Sequence, residues 1–149
     1  MDIKILEIEK IEDLPEYIYA INPHCLYAHP TFIQVFALIE KRVVGWAHFQ
    51  PTMNNKEWVG SHFFVYEDYR RKGIAQKIIE TGIENLRTKG VKKLFVGISS
   101  DNIASINLHK KLLFRLSDRK EPVLSYYKLH TGESVMTAPA EDSIYERIL

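Results

Sequence analysis

Cysteine is nearly absent: Cys25 stands alone among 149 residues, so no internal disulfide can form and no pair of thiolates exists for a structural zinc site. A reducing cytoplasm is the expected setting. Long apolar runs are missing too. Charges interrupt every candidate, as Glu40-Lys41-Arg42 does between Val35 to Ile39 and Val43 to Ala47, and none approaches the ~18 to 20 residues that a membrane helix requires. The start, Met1-Asp2-Ile3-Lys4, lacks the basic segment, apolar stretch and cleavage site of a secretory signal, so neither secretion nor a membrane span is expected. There is no internal repeat. What is present is ordinary for a folded domain: 46% hydrophobic and 26% charged residues exclude collagen-like, low-complexity and wholly disordered classes. The length implies one domain, placed at residues 1–130, with 131–149 expected as a C-terminal tail that is mobile or serves an interface.

The net charge of +1 conceals a strong segregation. Residues 1–20 carry six acids and two bases, residues 70–120 carry thirteen bases and four acids, and residues 131–149 carry four acids and one base. An anionic ligand near the middle of the chain and a cationic partner near its N-terminal part would both suit this pattern, although solvated helix and strand faces would produce it as well. Nucleic acid is disfavoured, because the central bases are not interleaved with stacking aromatics.

Hydrophobic periodicity predicts the order of elements. Ile3, Ile5 and Ile8 suggest a first strand, and Ile11, Leu14, Ile18 and Ile21 a helix opened at Asp13 and stopped by Pro23. Strands are expected at about 35–39, 43–50 and 57–66, joined by short connections that imply an antiparallel meander. The period then turns helical through Ile74, Ile78, Ile79, Ile83 and Leu86, with a stop at Gly90. Val91 to Ile98 is the next strand, parallel to the one before the helix, so the fold class is α/β with a mixed sheet. A second helix is expected over about 103–112, and a last pair of strands around Glu121-Pro122.

The segment richest in chemical meaning runs from Val65 through Arg70-Arg71-Lys72-Gly73-Ile74-Ala75. A glycine turn between strand and helix exposes unpaired backbone N–H groups at the positive end of the helix dipole, a ready site for a phosphate. Gly73 permits close approach, and Arg70, Arg71, Lys72 and Lys77 add charge. Bases at a helix N-terminus oppose the dipole by roughly 0.3 to 1 kcal/mol each, so without an anion there they would be a poor choice.

With these residues the chain resembles the GNAT superfamily, N-acetyltransferases that use acetyl-coenzyme A. Arg70, Gly73 and Ala75, with Val65 upstream, match its Arg/Gln-x-x-Gly-x-Gly/Ala signature, and Asn102, Ala104, Leu112 and Phe114 match its second motif. His109 stands where that motif usually has Tyr, and Leu113 where it has Gly. The resemblance, covering about residues 35–128, implies a meander followed by a β-α-β crossover with a splayed central strand pair. It implies that backbone groups near Phe64 and Val65 hold the pantetheine arm, that amides of Arg71, Lys72, Gly73, Ile74, Ala75 and Gln76 hold the pyrophosphate, and that Asn102 bonds the pantetheine amides. Acetyl-coenzyme A would be the cosubstrate, without a metal, and a small-molecule or peptide amine the acceptor.

Direct transfer to an amine then requires a proton acceptor and, for the leaving thiolate, a donor. His109 is the candidate donor by its position, with a packing role as the alternative, and Tyr126 or Tyr127 could act in its place. His62 and Glu57 are the candidate bases; strand alternation puts His62 on the face opposite Ser61, Phe63 and Val65. Cys25 beside His24 is expected to be an idle thiol, and Trp46, Phe49 and Trp58 to pack on the sheet. Glu12, Asp13 and Glu16 would favour a cationic acceptor. Ile144, Tyr145, Ile148 and Leu149 could serve a homodimer interface. The departures at His109 and Leu113 leave open a domain of another class, one that binds acyl-coenzyme A to sense or dock without turnover.

Overall fold

The computed structural model describes residues 2–10, 13, 15, 32–128, 131 and 133–149. The expected helix over 11–21, with Glu12 and Glu16, and the segment holding His24, Cys25 and His29 lie outside the described residues, apart from Asp13 and Pro15. Among the described residues the order is β1 (Lys4–Ile8), β2 (Ile33–Ile39), β3 (Arg42–Pro51), β4 (Glu57–Val65), α1 (Ile74–Thr88), β5 (Lys93–Ile98), α2 (Ile103–Lys111), β6 (Arg115–Leu116), β7 (Ser125–Lys128), β8 (Ser134–Thr137) and β9 (Ser143–Ile148). β1 to β4 form the antiparallel meander, β4 and β5 are parallel, and one sheet runs β1-β2-β3-β4-β5-β9-β6. The mixed α/β class is thus as expected. No described helix is long and apolar enough to cross a membrane.

α1 forms where its isoleucines fall at three- and four-residue spacing. Ile74, Ile78, Ile79, Ile83 and Leu86 are all buried against one sheet face, among Val35, Ala47, Phe49, Leu94 and Val96. Each such side chain contributes about 1.5 to 3 kcal/mol on burial, which fixes the helix and the turn that starts it. Trp58 and Phe49 belong to this core, and Trp46 packs on the other face beside Phe36 and Val43, so all three aromatics serve the sheet.

Two expectations for the later part of the chain are corrected. The strands flanking Glu121-Pro122 do not pair with each other: β6 joins β9 in the main sheet, whereas β7 joins β8 in a separate two-stranded sheet. Residues 131–149, expected as a tail, supply β8 and β9, and β9 lies inside the main sheet between β5 and β6. The physical reason is that β5 needs a second partner and β9 can bury its side chains there. Tyr145 enters the main core, Leu149 packs against it, and Ile144 packs on Val59, Phe95 and Val123, leaving Ile148 as the exposed member of the four. Glu146 is buried as well, 3.4 Å from Lys93 and 3.5 Å from Arg115. Burial alone would raise its carboxyl, but the Ser117 hydrogen bond and the two cations outweigh burial and hold it below the ordinary range.

Candidate active site

The site begins where β4 and β5 part. Their ladder runs from Glu57 opposite Lys93 to Gly60 opposite Val96; β4 then continues to Val65 along β3 while β5 runs on to Ile98. The separation coincides with a bulge. Trp46 pairs with Phe64 but His48 with Ser61, so two residues of β4, His62 and Phe63, oppose the single Ala47, and His62 adopts φ 55°.

The bulge overturns the alternation expected for this strand. Phe63 turns to the helix side, edge-on to Phe49 at 6.0 Å, and Val65 joins it there. His62, however, shares its face with Ser61: the Ser61 Oγ lies 2.9 Å from His62 Nδ1, and the His62 ring lies 5.0 Å from His48 and 5.8 Å from Tyr127. The extra residue restores the face that strict alternation would have reversed.

On one side of the split, residues 66–73 carry the chain from β4 into α1 through a 3-10 turn at Glu67–Tyr69. Arg71 (φ 64°) and Gly73 (φ 78°) are both left-handed, and no side chain caps α1. The first hydrogen bond from this turn into the helix is Lys77 N–H to the Gly73 carbonyl, so the amides ahead of it point out of the helix end. A Cβ at Gly73 would meet nothing within 4 Å, so the space beside this turn is open. These features fit a coenzyme pyrophosphate. Arg70 has a different part: its Nε donates to the Val65 carbonyl at 2.8 Å and its guanidinium lies 5.8 Å from the centre of the Phe64 ring, clasping the end of β4 to the turn. Phe64 in turn stacks on Trp46 at 4.8 Å.

On the other side is a cavity of about 610 Å³, lined by the bulge, by Gly97 to Ser99 and Asn102, by Tyr127, and by the loop ending at Glu141. Ser61 Oγ donates to Gln50 Oε1 at 2.8 Å. A hydroxyl has one proton to give, so the contact with His62 requires Nδ1 to donate, which leaves the lone pair on Nε2. Burial pushes the His62 imidazole below its ordinary 6.5, partly opposed by the Glu141 carboxylate, so the ring is neutral at pH 7. Gln50 is itself buried, as is the neighbouring His48, whose Nε2 accepts from the Gln34 amide at 3.0 Å.

The other expected site residues are placed as follows. Asn102 lines the cavity and caps α2, its Oδ1 accepting the Ser105 N–H at 3.2 Å. His109 does not line the cavity. It is buried edge-on between Phe63 and Phe114, its Nδ1 donates to the Ser105 carbonyl at 2.8 Å, and burial lowers its basicity. The neutral ring therefore keeps its lone pair on Nε2 and has no second proton to offer. Glu57 stands at the far end of β4 from the bulge, 3.3 Å from Arg119, outside the cavity. Tyr127 lines it and Tyr126 does not. Gln50, Ser61 and Glu141 were not anticipated, and only the Ser61-His62 adjacency carried a local signal.

The mixed sheet that splits beside an uncapped helix is a fold shared with a solved GNAT-family acetyltransferase of Staphylococcus aureus, with a TM-score of 0.68, 16% identity and 99% of both chains covered. The chain belongs to the acetyltransferase (GNAT) family, whose model matches residues 3–114. It is 31% identical over 84 residues to an L-methionine sulfoximine/L-methionine sulfone acetyltransferase of Pseudomonas aeruginosa, a match covering 54% of this chain and 49% of that protein, so the chain spans about half the length of this curated relative. In fold it is similar to the ribosomal-protein-S18-alanine N-acetyltransferase of Escherichia coli, with a TM-score of 0.66, 20% identity, and 99% and 94% of the two chains covered. It is also similar to the PaiA N-acetyltransferase of Thermoplasma acidophilum in complex with coenzyme A, with a TM-score of 0.68, 13% identity and both chains covered at 100%.

Proposed function

We propose that this protein transfers an acetyl group from acetyl-coenzyme A to an amine held in the β4–β5 cavity, with His62 accepting the amine's proton. The observation that carries this reading is the Gln50-Ser61-His62 chain beside the strand split, which holds His62, a residue lining the cavity, in the tautomer protonated on Nδ1. When bound, acetyl-coenzyme A would supply the acetyl group as an activated thioester. The amides of Arg71, Lys72, Gly73, Ile74, Ala75 and Gln76 would hold its pyrophosphate, and the β4 backbone at Phe64 and Val65 its pantetheine arm. Asn102, whose oxygen is occupied as a cap, keeps two amide hydrogens for a pantetheine carbonyl.

An alkylamine with a pKa of about 10 is an ammonium at pH 7, so it sheds one proton to solvent to expose its lone pair and a second as it becomes an amide nitrogen. His62 Nε2 takes the second proton as the bond from nitrogen to the acyl carbon forms and the carbon–sulfur bond breaks, while Ser61 and Gln50 keep Nδ1 protonated. Tyr127 supplies the hydroxyl nearest in role to a donor for the departing sulfur, since it lines the cavity and stacks beside His62, whereas His109 has no proton to give.

Two measurements test the proposal. Calorimetry should detect coenzyme A binding, and thiol release from acetyl-coenzyme A should depend on an added amine. Binding with no release across a broad panel of small amines and peptides would favour the non-catalytic, sensing reading. No binding at millimolar coenzyme A would overturn both.

A further inference from the structure

The acceptor cavity has a lopsided charge. Among its described lining residues there is no lysine or arginine, its histidine is neutral, and Glu141 is its one carboxylate. The sequence also contains no lysine or arginine from residue 11 through residue 40, so that entire stretch has no permanent cation to contribute. Glu141 is seated by the backbone of β5. A Cβ on Gly97 would stand 2.7 Å from Glu141 Oε2 and 2.8 Å from Pro139 Cβ, so the bare glycine is what allows the 139–141 loop to lie against the strand. The adjacent Asp142 anchors that loop, its Oδ1 accepting the Ser100 N–H at 2.8 Å.

We infer that Glu141 is a specificity-determining residue, and that the acceptor carries a second ammonium group and no carboxylate, as a short diamine or polyamine does. This rests on the transferase reading of the same cavity. An amino acid brings a carboxylate close to its reacting nitrogen, and recognising it calls for an arginine or lysine. Here such a carboxylate would find no lysine or arginine among the described lining residues and would meet the charge of Glu141, a like-charge contact that selects against it. A second ammonium placed toward Glu141 is attracted instead, and the neutral wall of Gln50, Ser61 and His62 leaves the reacting nitrogen uncharged company.

A matched four-carbon series tests the inference: 1,4-diaminobutane, butylamine and 4-aminobutanoate, with both kcat/KM and calorimetric binding to the protein carrying coenzyme A. The wild type should prefer the diamine to butylamine by about fivefold at low salt, and should use 4-aminobutanoate worst. Glu141→Gln should bring diamine and butylamine within about twofold, with the KM for acetyl-coenzyme A unchanged, and Glu141→Lys should raise 4-aminobutanoate above the diamine. An unaltered preference in both variants, or a wild type that favours 4-aminobutanoate, would overturn the assignment. If no amine is acetylated but diamine binding persists and weakens in Glu141→Gln, the transferase proposal fails while the role of Glu141 stands.

Discussion

The two sides of the β4–β5 split are made of different materials. On the proposed coenzyme side the groups are backbone amides at the start of α1, presented by two left-handed residues and surrounded by bases. On the proposed acceptor side they are side chains lining the cavity, Gln50, Ser61, His62, Tyr127 and Glu141, drawn from β3, β4, β7 and a loop. A backbone site tolerates most substitutions that keep the turn's shape, because the donors belong to the main chain. A side-chain site is changed by each replacement, so one scaffold can keep its coenzyme while its acceptor varies.

The strongest way to break this contrast is at Gly73. Glu there places a negative charge at the helix N-terminus and a side chain on a φ of 78°, in space that is otherwise open. Calorimetry should show coenzyme A binding weakened by about a hundredfold or more, with the fold retained in circular dichroism. His62→Asn, which tolerates the positive φ, should lower kcat by about a hundredfold and leave coenzyme A affinity unchanged. Ser61→Ala should cost less, about tenfold, because it frees the tautomer without removing the ring. In the wild type, kcat/KM expressed per unprotonated amine should fall on acidification only below pH 6.5, since burial holds the His62 pKa under that value and the base must be neutral to act. A limb above 6.5 would dismiss His62 as the base.

The smallest effect belongs to His109. Its folded-state pKa is depressed, so between that value and 6.5 the unfolded chain binds more protons and stability is lost as pH falls. His109→Phe keeps an aromatic ring between Phe63 and Phe114 and should flatten the pH dependence of Tm between 7.5 and 5.5. At pH 7.5 the Tm should move by only a few degrees and kcat by less than about twofold. A loss of kcat comparable to that in His62→Asn would return the donor role to His109.

What could be read from the residues follows the same division. Ile74, Ile78, Ile79, Ile83 and Leu86 declare α1 by spacing alone, and Gly73 after Arg70 declares the turn, because a backbone site is local in sequence. The acceptor side is not local. Gln50, Tyr127 and Glu141 meet only through pairing of distant segments, and the bulge at His62 leaves no mark that alternation can detect. β9 escaped for a related reason: its pattern is short, and Glu146 reads as a surface residue until Lys93 and Arg115 are placed beside it. Of the acidic residues expected to attract a cationic acceptor, Glu12 and Glu16 lie outside the described residues; among the described residues the carboxylate lining the cavity is Glu141.

The position of β9 also has a bearing on the order in which this chain can be assembled. β5 finds its parallel partner among residues already made, yet its other edge waits for a strand 45 positions later, Ile98 being paired with Ser143. During synthesis the ribosome must deliver α2, β6, β7 and β8 before that edge is closed, and the buried Phe95 and Val96 stand at an open sheet margin meanwhile. Such long-range closure makes a slow late step in folding. The nascent chain is therefore most exposed to edge-to-edge association in the interval before residues 143–148 emerge, and a chaperone that shields β5 would act in that interval.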